Sequence, residues 1–146
     1  MGKMNKEKIR IFLVDDDSLY LKSLEIEFKQ YADFVVDTYA TGELCMENIR
    51  KDPDIIILDY HLDGIEINAM NGIETLGKIK AHNQKIAVIM LSSQDKIDVA
   101  INCMHHKALD YVVKSETAFT RLQTIITSYY KYQQMEKQLN WYMERM

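Results

Sequence analysis

The chain has 146 residues, of which 47% are hydrophobic and 27% charged, enough for one domain with a sizeable core. A formal net charge of -4, with no long basic block, argues against direct nucleic-acid binding through a broad cationic face. Cys45 and Cys103 lie far apart with no partner pattern, which disfavours a disulfide framework or a zinc site, and no secretory leader or membrane-length apolar run appears, so a cytoplasmic protein without membrane contact is expected.

After a charged leader, residues 9–14 (IRIFLV) form a short apolar run that reads as a first strand. Ser18 opens a helical pattern with Leu21, Leu24, Phe28 and Tyr31 on one face. Residues 34–39 give a second strand, and Thr41 suits the N-cap of a helix whose inward residues are Leu44, Cys45 and Ile49. Pro53 closes the connection to a third strand at residues 55–58. A long loop follows Asp59; Gly64 and Asn71-Gly72 are its turn signals, and a helix is predicted over residues 73–81. A fourth strand spans 86–91, a fourth helix 95–106 and a fifth strand 111–113. His105 and His106 close that helix, where a cationic side chain favours the negative end of the dipole.

Alternation of strands with crossovers of helix length predicts an α/β fold, a doubly wound parallel sheet of five strands. From about Glu116 to Met146 the pattern stays helical without Gly or Pro, a rod on the order of 45 Å at about 1.5 Å per residue, longer than one sheet face needs. Ile125, Tyr129 and Tyr132 keep one spacing along it; Met135, Leu139, Tyr142 and Met146 continue at three, four, three, four after a one-residue phase slip. The expected division is a domain over residues 9–128 and a helical extension over 129–146, whose apolar stripe would pair with a second copy as a homodimer or dock on a further domain.

The four apolar strands end in Asp15 to Asp17, Asp59, Ser92 and Lys114. Ligands bind beyond the carboxyl ends of parallel strands, so these side chains should converge on one crevice. In that order, and with Tyr111 on the fifth strand, they resemble the receiver domain of two-component response regulators over roughly residues 10–128. The resemblance implies the flavodoxin-like strand order 2-1-3-4-5, with Asp15 and Asp16 as the acidic pair, Asp59 as phosphoacceptor, Ser92 and Tyr111 as the switch pair, and Lys114 as the active-site lysine. It also implies that His61 and Gln94 border the phosphoryl group and tune its lifetime, and that the partners are a sensor histidine kinase or phosphotransfer protein and a downstream output domain or protein.

The chemistry has its own physical case. Three carboxylates at one rim repel one another, which a divalent cation relieves. Hard oxygen donors with few direct carboxylates suit Mg2+ better than the His61 imidazole would: Asp16, Asp59 and the backbone carbonyl of His61 are the expected direct ligands, with Asp15 acting through water. Asp59 would be the nucleophile, and Lys114 and Ser92 would contact phosphoryl oxygens. Taken singly, each residue has a plainer use: Asp16 or Asp17 could open a helix, Lys114 could be a solvated loop lysine, and Ser92 a turn residue.

The chain departs from the family pattern at four places. The loop between Asp59 and Gly72 is longer than usual and places Asp63 and Glu66 near the metal; Leu62-Asp63 replaces the customary Met-Pro; Ser115 replaces the proline after the lysine; and Lys107 replaces a glycine ending the fourth helix. A cis bond before Ser115 would cost about 2.5 to 4 kcal/mol, so that bond is trans or the site holds strain. A left-handed Lys107 would cost roughly 1 kcal/mol. Two rival functions are weighed, an Mg2+-dependent phosphatase forming an aspartyl phosphate and a pseudo-receiver that never carries phosphate. The first resembles a D-x-D pattern, but His61 stands where its second Asp belongs and no substrate cap is evident; the complete acidic set counts against the second.

Overall fold

The computed structural model describes residues 8–64 and 68–146. Strands β1 (Ile9–Val14), β2 (Phe34–Tyr39), β3 (Ile55–Asp59), β4 (Ala87–Ser92) and β5 (Asp110–Val113) form one parallel sheet in the order β2-β1-β3-β4-β5. Helices α1 (Ser18–Lys29), α2 (Gly42–Glu47), α3 (Gly72–His82) and α4 (Ile97–His105) make the crossovers, and α5 (Ala118–Glu144) follows the last strand. The predicted doubly wound sheet with an extended C-terminal helix is therefore present. Among the described residues no helix is long and apolar enough to cross a membrane.

β1, β3 and β4 are central, so their near-continuous Ile, Val and Leu runs are buried on both faces. Alternation sends Phe12, Val14, Ile56, Leu58, Val88 and Met90 to one face, where they join Cys45, Leu76, Ile79 and Cys103 from α2, α3 and α4 in one buried cluster. The Phe12 and Tyr39 rings meet edge-on there, with centroids 4.8 Å apart. Ile11, Leu13, Ile55, Ile57 and Ile89 occupy the alternate positions and are equally buried. On that face Phe28 of α1 meets Phe34 of β2 edge-on at 5.4 Å. Both cysteines are buried and unpaired, and burial pushes their thiols up, Cys45 to about 12 and Cys103 to about 11.

Several local expectations change on folding. α2 is a single short helix followed by one 3-10 turn over Ile49–Lys51, because Asn48 turns its side-chain amide back to the Leu44 carbonyl and Asp52 enters the left-handed region at φ 57 before Pro53. Leu44 is 41% exposed and not inward, whereas Cys45 and Ile49 are buried as expected. Tyr31 lies beyond the end of α1 and is exposed. α4 starts two residues later than the periodicity suggests: the Ser92 hydroxyl accepts the Gln94 N–H at 3.0 Å, so residues 93–96 turn before the helix begins. Lys107 is left-handed at φ 76, and the Lys114–Ser115 bond is trans.

The chain divides into two compact units, one ending at Lys114 and one comprising Ser115–Met146. Within the second, Ala118, Leu122 and Ile126 are buried at a spacing of four, one residue out of phase with the Ile125, Tyr129 and Tyr132 spacing read from the sequence. From Tyr132 onward Met135, Leu139, Trp141, Tyr142, Met143 and Met146 are all exposed.

α3 begins with a reciprocal cap. Asn71 Oδ1 accepts the Glu74 N–H at 2.9 Å, and Glu74 Oε1 accepts the Asn71 N–H at 3.0 Å. The adjacent Gly72 allows this helix to start against the end of β3: a Cβ there would lie 2.5 Å from the Asp59 carbonyl oxygen and 2.7 Å from the Tyr60 Cα. Both obstacles are backbone, so Gly72→Ala must displace either the helix or the strand end. The expected loss is about 1–3 kcal/mol, read as a lower urea midpoint with an unchanged slope; an unaltered midpoint would show that this junction yields freely.

Candidate functional site

Register brings the chemistry-bearing residues to one edge. Val14 pairs with Leu58, Asp59 with Leu91, and Ser92 with Val113. Asp15 and Lys114 are therefore the first residues past β1 and β5, while Asp59 and Ser92 are the last of β3 and β4. Backbone bonds continue the sheet past its strands: Asp15 N–H to the Tyr39 carbonyl (3.1 Å), Tyr60 N–H to Leu91 (2.8 Å) and Lys114 N–H to Ser92 (2.8 Å). These bonds hold the site residues on the rigid sheet and not on the loops beyond it.

Asp15, Asp16 and Asp59 each present a carboxylate oxygen within 4.8 Å of the others. Asp15 and Asp59 are only 1% and 3% exposed. Lys114 reaches over from β5, its Nζ 2.8 Å from Asp15 Oδ2 and 3.5 Å from Asp59 Oδ1. One ammonium faces three carboxylates, and the imbalance appears at Asp59. Burial, then the neighbouring Asp15 charge, push its carboxyl from the ordinary 3.8 up to about 7, against the opposing pull of Lys114. Burial alone would lower the Lys114 ammonium, but its hydrogen bond to Asp15 and the Asp59 charge outweigh that and raise it.

The donor set suits a hard cation. Asp16 Oδ2 is buried and has no hydrogen-bond partner among the described residues. Next to it, a Cβ on Gly64 would sit 3.4 Å from Asp16 Oδ2 and 3.9 Å from the His61 carbonyl oxygen, so that carbonyl borders the same small space as the carboxylate. Oxygen donors of this kind suit a small divalent ion.

Asp17 has the structural use that either Asp16 or Asp17 could have had. Its Oδ1 accepts from the Leu19 and Tyr20 N–H groups, both at 3.2 Å, and caps α1. Ser92 is fully buried; its Oγ accepts from Gln94, an arrangement that leaves the hydroxyl proton to be given elsewhere. Tyr111 donates its hydroxyl to the Gln94 carbonyl, which ties β5 to the loop after Ser92. The His61 N–H points at Asp59 Oδ1 over a long 3.4 Å, and its Nε2 is buried without a partner among the described residues. Asp63 is exposed, and Glu66, expected near the metal, lies outside the described residues. His106 closes α4, its Nδ1 2.8 Å from the Asn102 carbonyl.

Two residues were missed. Glu43, in the first turn of α2, accepts the Met70 N–H at 2.8 Å and braces the end of the long loop; nothing in its local sequence marks it. Tyr20 lies with its ring centroid 4.7 Å from Lys114 Nζ. Its place one helical turn after the acidic run was the available signal.

The sequence and the fold match those of known proteins. The model of the response regulator receiver domain matches residues 11–127. The chain is 29% identical over 124 residues to the transcriptional regulatory protein ZraR of Klebsiella oxytoca, covering 85% of this chain and 27% of that protein. It is 35% identical over 111 residues to a protein-glutamate methylesterase/protein-glutamine glutaminase of Bacillus licheniformis, covering 73% and 29% respectively. The chain thus spans less than a third of either relative's length. A CheY-like receiver domain protein from Methanospirillum hungatei superposes with a TM-score of 0.72 at 23% identity, over 88% of this chain and 98% of that one. A chain of the CheX-CheY-BeF3-Mg+2 complex from Borrelia burgdorferi does so with a TM-score of 0.71 at 25% identity, over 84% and 89%. With its sheet order, acidic edge and family match in agreement, this chain belongs to the response regulator receiver domains of two-component signalling.

Proposed function

We propose that this receiver takes a phosphoryl group on Asp59 from a sensor histidine kinase or a phosphotransfer protein and relays the change to an output domain or protein. The supporting observation is a buried carboxylate at the end of β3, 3.5 Å from a lysine ammonium and crowded by two further carboxylates. An Asp59 oxygen forms the new bond to phosphorus as the donor's bond to phosphorus breaks. Lys114 moves its ammonium from Asp15 toward the phosphoryl oxygens, and the Ser92 hydroxyl donates to one of them. Asp16, Asp59 and the His61 carbonyl would hold Mg2+ directly, with Asp15 holding it through water. When bound, Mg2+ supplies positive charge that offsets the carboxylates and the phosphoryl oxygens. The Borrelia burgdorferi complex, which carries BeF3 and Mg2+ together, supports this ion.

In this reading a pull on the Ser92 hydroxyl releases Gln94, whose carbonyl holds Tyr111, and the outer edge at β5 responds. The protein is a switch that catalyses chemistry only on itself, with a cytoplasmic location. A phosphatase would need a second acid two residues past Asp59, where His61 stands; a pseudo-receiver would have no use for the strained acidic cluster.

A second copy of the chain is the partner proposed for the tail. Tyr132, Leu139 and Met146 at heptad position a, with Met135 and Tyr142 at d, make one exposed seam. Lys131 and Glu136 then fall at g and e, facing each other across a parallel pair. An antiparallel pair centred on the same seam would set Lys131 near Arg145, like charge against like.

Asp59→Asn should abolish labelling by acetyl phosphate, and undiminished, acid-stable labelling of that variant would refute the assignment. The same variant should be more stable than the native chain at neutral pH without divalent ions. The folded-state carboxyl, raised from 3.8 to about 7, holds a proton that the unfolded chain has released. Stability is therefore lost as pH rises through that window, by on the order of a few kcal/mol, and urea titrations should show the slope flattened in Asp59→Asn.

Replacing His61 and Gln94 together by Ala should change the dephosphorylation rate measurably, since both border the expected phosphoryl group; an unchanged lifetime would remove them from the site. Sedimentation at micromolar concentration should find the intact chain dimeric and a chain ending at Ser128 monomeric. Glu136→Lys should weaken the dimer, and adding Lys131→Glu should restore it. Monomers throughout, with and without phosphodonor, would mean that the tail does not pair.

A further inference from the structure

The Lys114 ammonium has a third neighbour besides its two carboxylates. Its side chain is only 15% exposed, and the ring of Tyr20 lies 4.7 Å from Nζ. The Tyr20 hydroxyl is buried without a hydrogen-bond partner among the described residues, so no polar contact found there explains the presence of this ring. Burial, together with the nearby Asp15, Glu27 and Asp59 charges, pushes that hydroxyl up to about 12, so it stays neutral at physiological pH and the ring cannot form an ion pair with the lysine.

The backbone connects this ring to the acidic cluster. The Asp17 N–H donates to Asp15 Oδ1 at 2.9 Å, the Asp17 carboxylate caps α1 through the Tyr20 N–H, and Asp15 Oδ2 meets Lys114 at 2.8 Å. Asp15, Asp17, Tyr20 and Lys114 thereby form a closed circuit, in which the segment that carries the acidic pair also supports the aromatic face against the lysine.

Resting on the phosphoacceptor reading, we propose that Tyr20 is a positioning residue: its π face retains the Lys114 ammonium while that ammonium exchanges Asp15 for a phosphoryl oxygen. A carboxylate neighbour holds the ammonium in one direction and competes with the phosphoryl group for its protons. A π face attracts the cation without using a hydrogen bond, so it stays engaged on both sides of the exchange. Tyr20 touches neither the phosphoryl group nor the metal in this account; it acts through Lys114.

The test uses the whole chain with Tyr20→Phe, which keeps the ring, and Tyr20→Leu and Tyr20→Met, which remove it. Two readouts are taken. The first is the NMR shift of the Lys114 ε-methylene, which the ring should move upfield in the native protein and in Tyr20→Phe but not in the aliphatic variants. The second is the initial rate of Mg2+-dependent labelling by acetyl phosphate. Tyr20→Phe should rescue the native rate, and the aliphatic variants should label roughly 3- to 30-fold more slowly. Equal rates in Phe, Leu and Met variants, or a Phe variant as slow as Leu, would overturn the proposal, the latter by assigning the effect to the hydroxyl. An absent ring shift in the native protein would overturn it as well. If native protein does not label while the ring shift is present, the phosphoacceptor reading fails and the Tyr20–Lys114 contact stands.

Discussion

The rest of the structure depends on the repulsion among Asp15, Asp16 and Asp59 at one edge of the sheet. Three acids within 4.8 Å of one another, two of them nearly inaccessible to water, are costly to hold ionised. Lys114 offsets only part of that cost, which is why the Asp59 carboxyl remains raised in spite of the ion pair. A site in this condition gains from any positive charge brought to it, and so its neighbourhood reads as preparation for a ligand: an unpartnered Asp16 oxygen, a backbone carbonyl bordering the same space, and a glycine that leaves the space open.

Strain of this kind needs a stiff support. The central strands supply it by burying Ile, Val and Leu on both faces, so that their polar side chains fall at strand ends: Asp59 and Ser92 at the site edge, and Arg10, paired with Asp37, at the opposite end of β1. The carbonyl and amide bonds running past the strand ends extend this stiffness into Asp15, Tyr60 and Lys114. Gly72 adds to it by letting α3 start directly against the Asp59 and Tyr60 backbone. The parts assigned to move in the proposed switch lie one step further out. The turn after Ser92 is held by a hydroxyl and by the Tyr111 contact to Gln94, two bonds that a change at the Ser92 oxygen would alter together.

Two of the departures from the family pattern, Lys107 and the longer loop after Asp59, lie beyond the strands. Lys107 takes the left-handed conformation that a glycine would adopt more cheaply, and the chain accepts this because the turn carries α4 directly into the approach to β5. The longer loop after Asp59 is braced at its far end by Glu43, far off in sequence, and by the Asn71 cap. Neither departure disturbs the positions of Asp59 or Lys114, since both are set by strand register.

The strands and the placement of Asp15, Asp16, Asp59, Ser92 and Lys114 at one edge of the sheet were legible in the sequence, because a parallel strand buried on both faces leaves an apolar run that stops where the polar end begins. Thr41 was equally legible as a helix cap, since capping is local, whereas Asn71, read as a turn residue, proves to cap α3. Helix phase was less so: Leu44 was expected inward beside Cys45 and Ile49 but is exposed, and Ile126 is buried although the spacing picked out Ile125, because which flank of a stripe turns inward depends on neighbours that spacing does not name. Asp16 and Asp17 could not be separated by composition; the fold assigned one to the acidic cluster and the other to the α1 cap. Only tertiary structure could bring Tyr20 to Lys114 or Glu43 to Met70, since these contacts join residues from different elements and leave no periodic trace. The raised Asp59 carboxyl belongs to the same class: the sequence supplies the acids, and only folding withdraws them together from water.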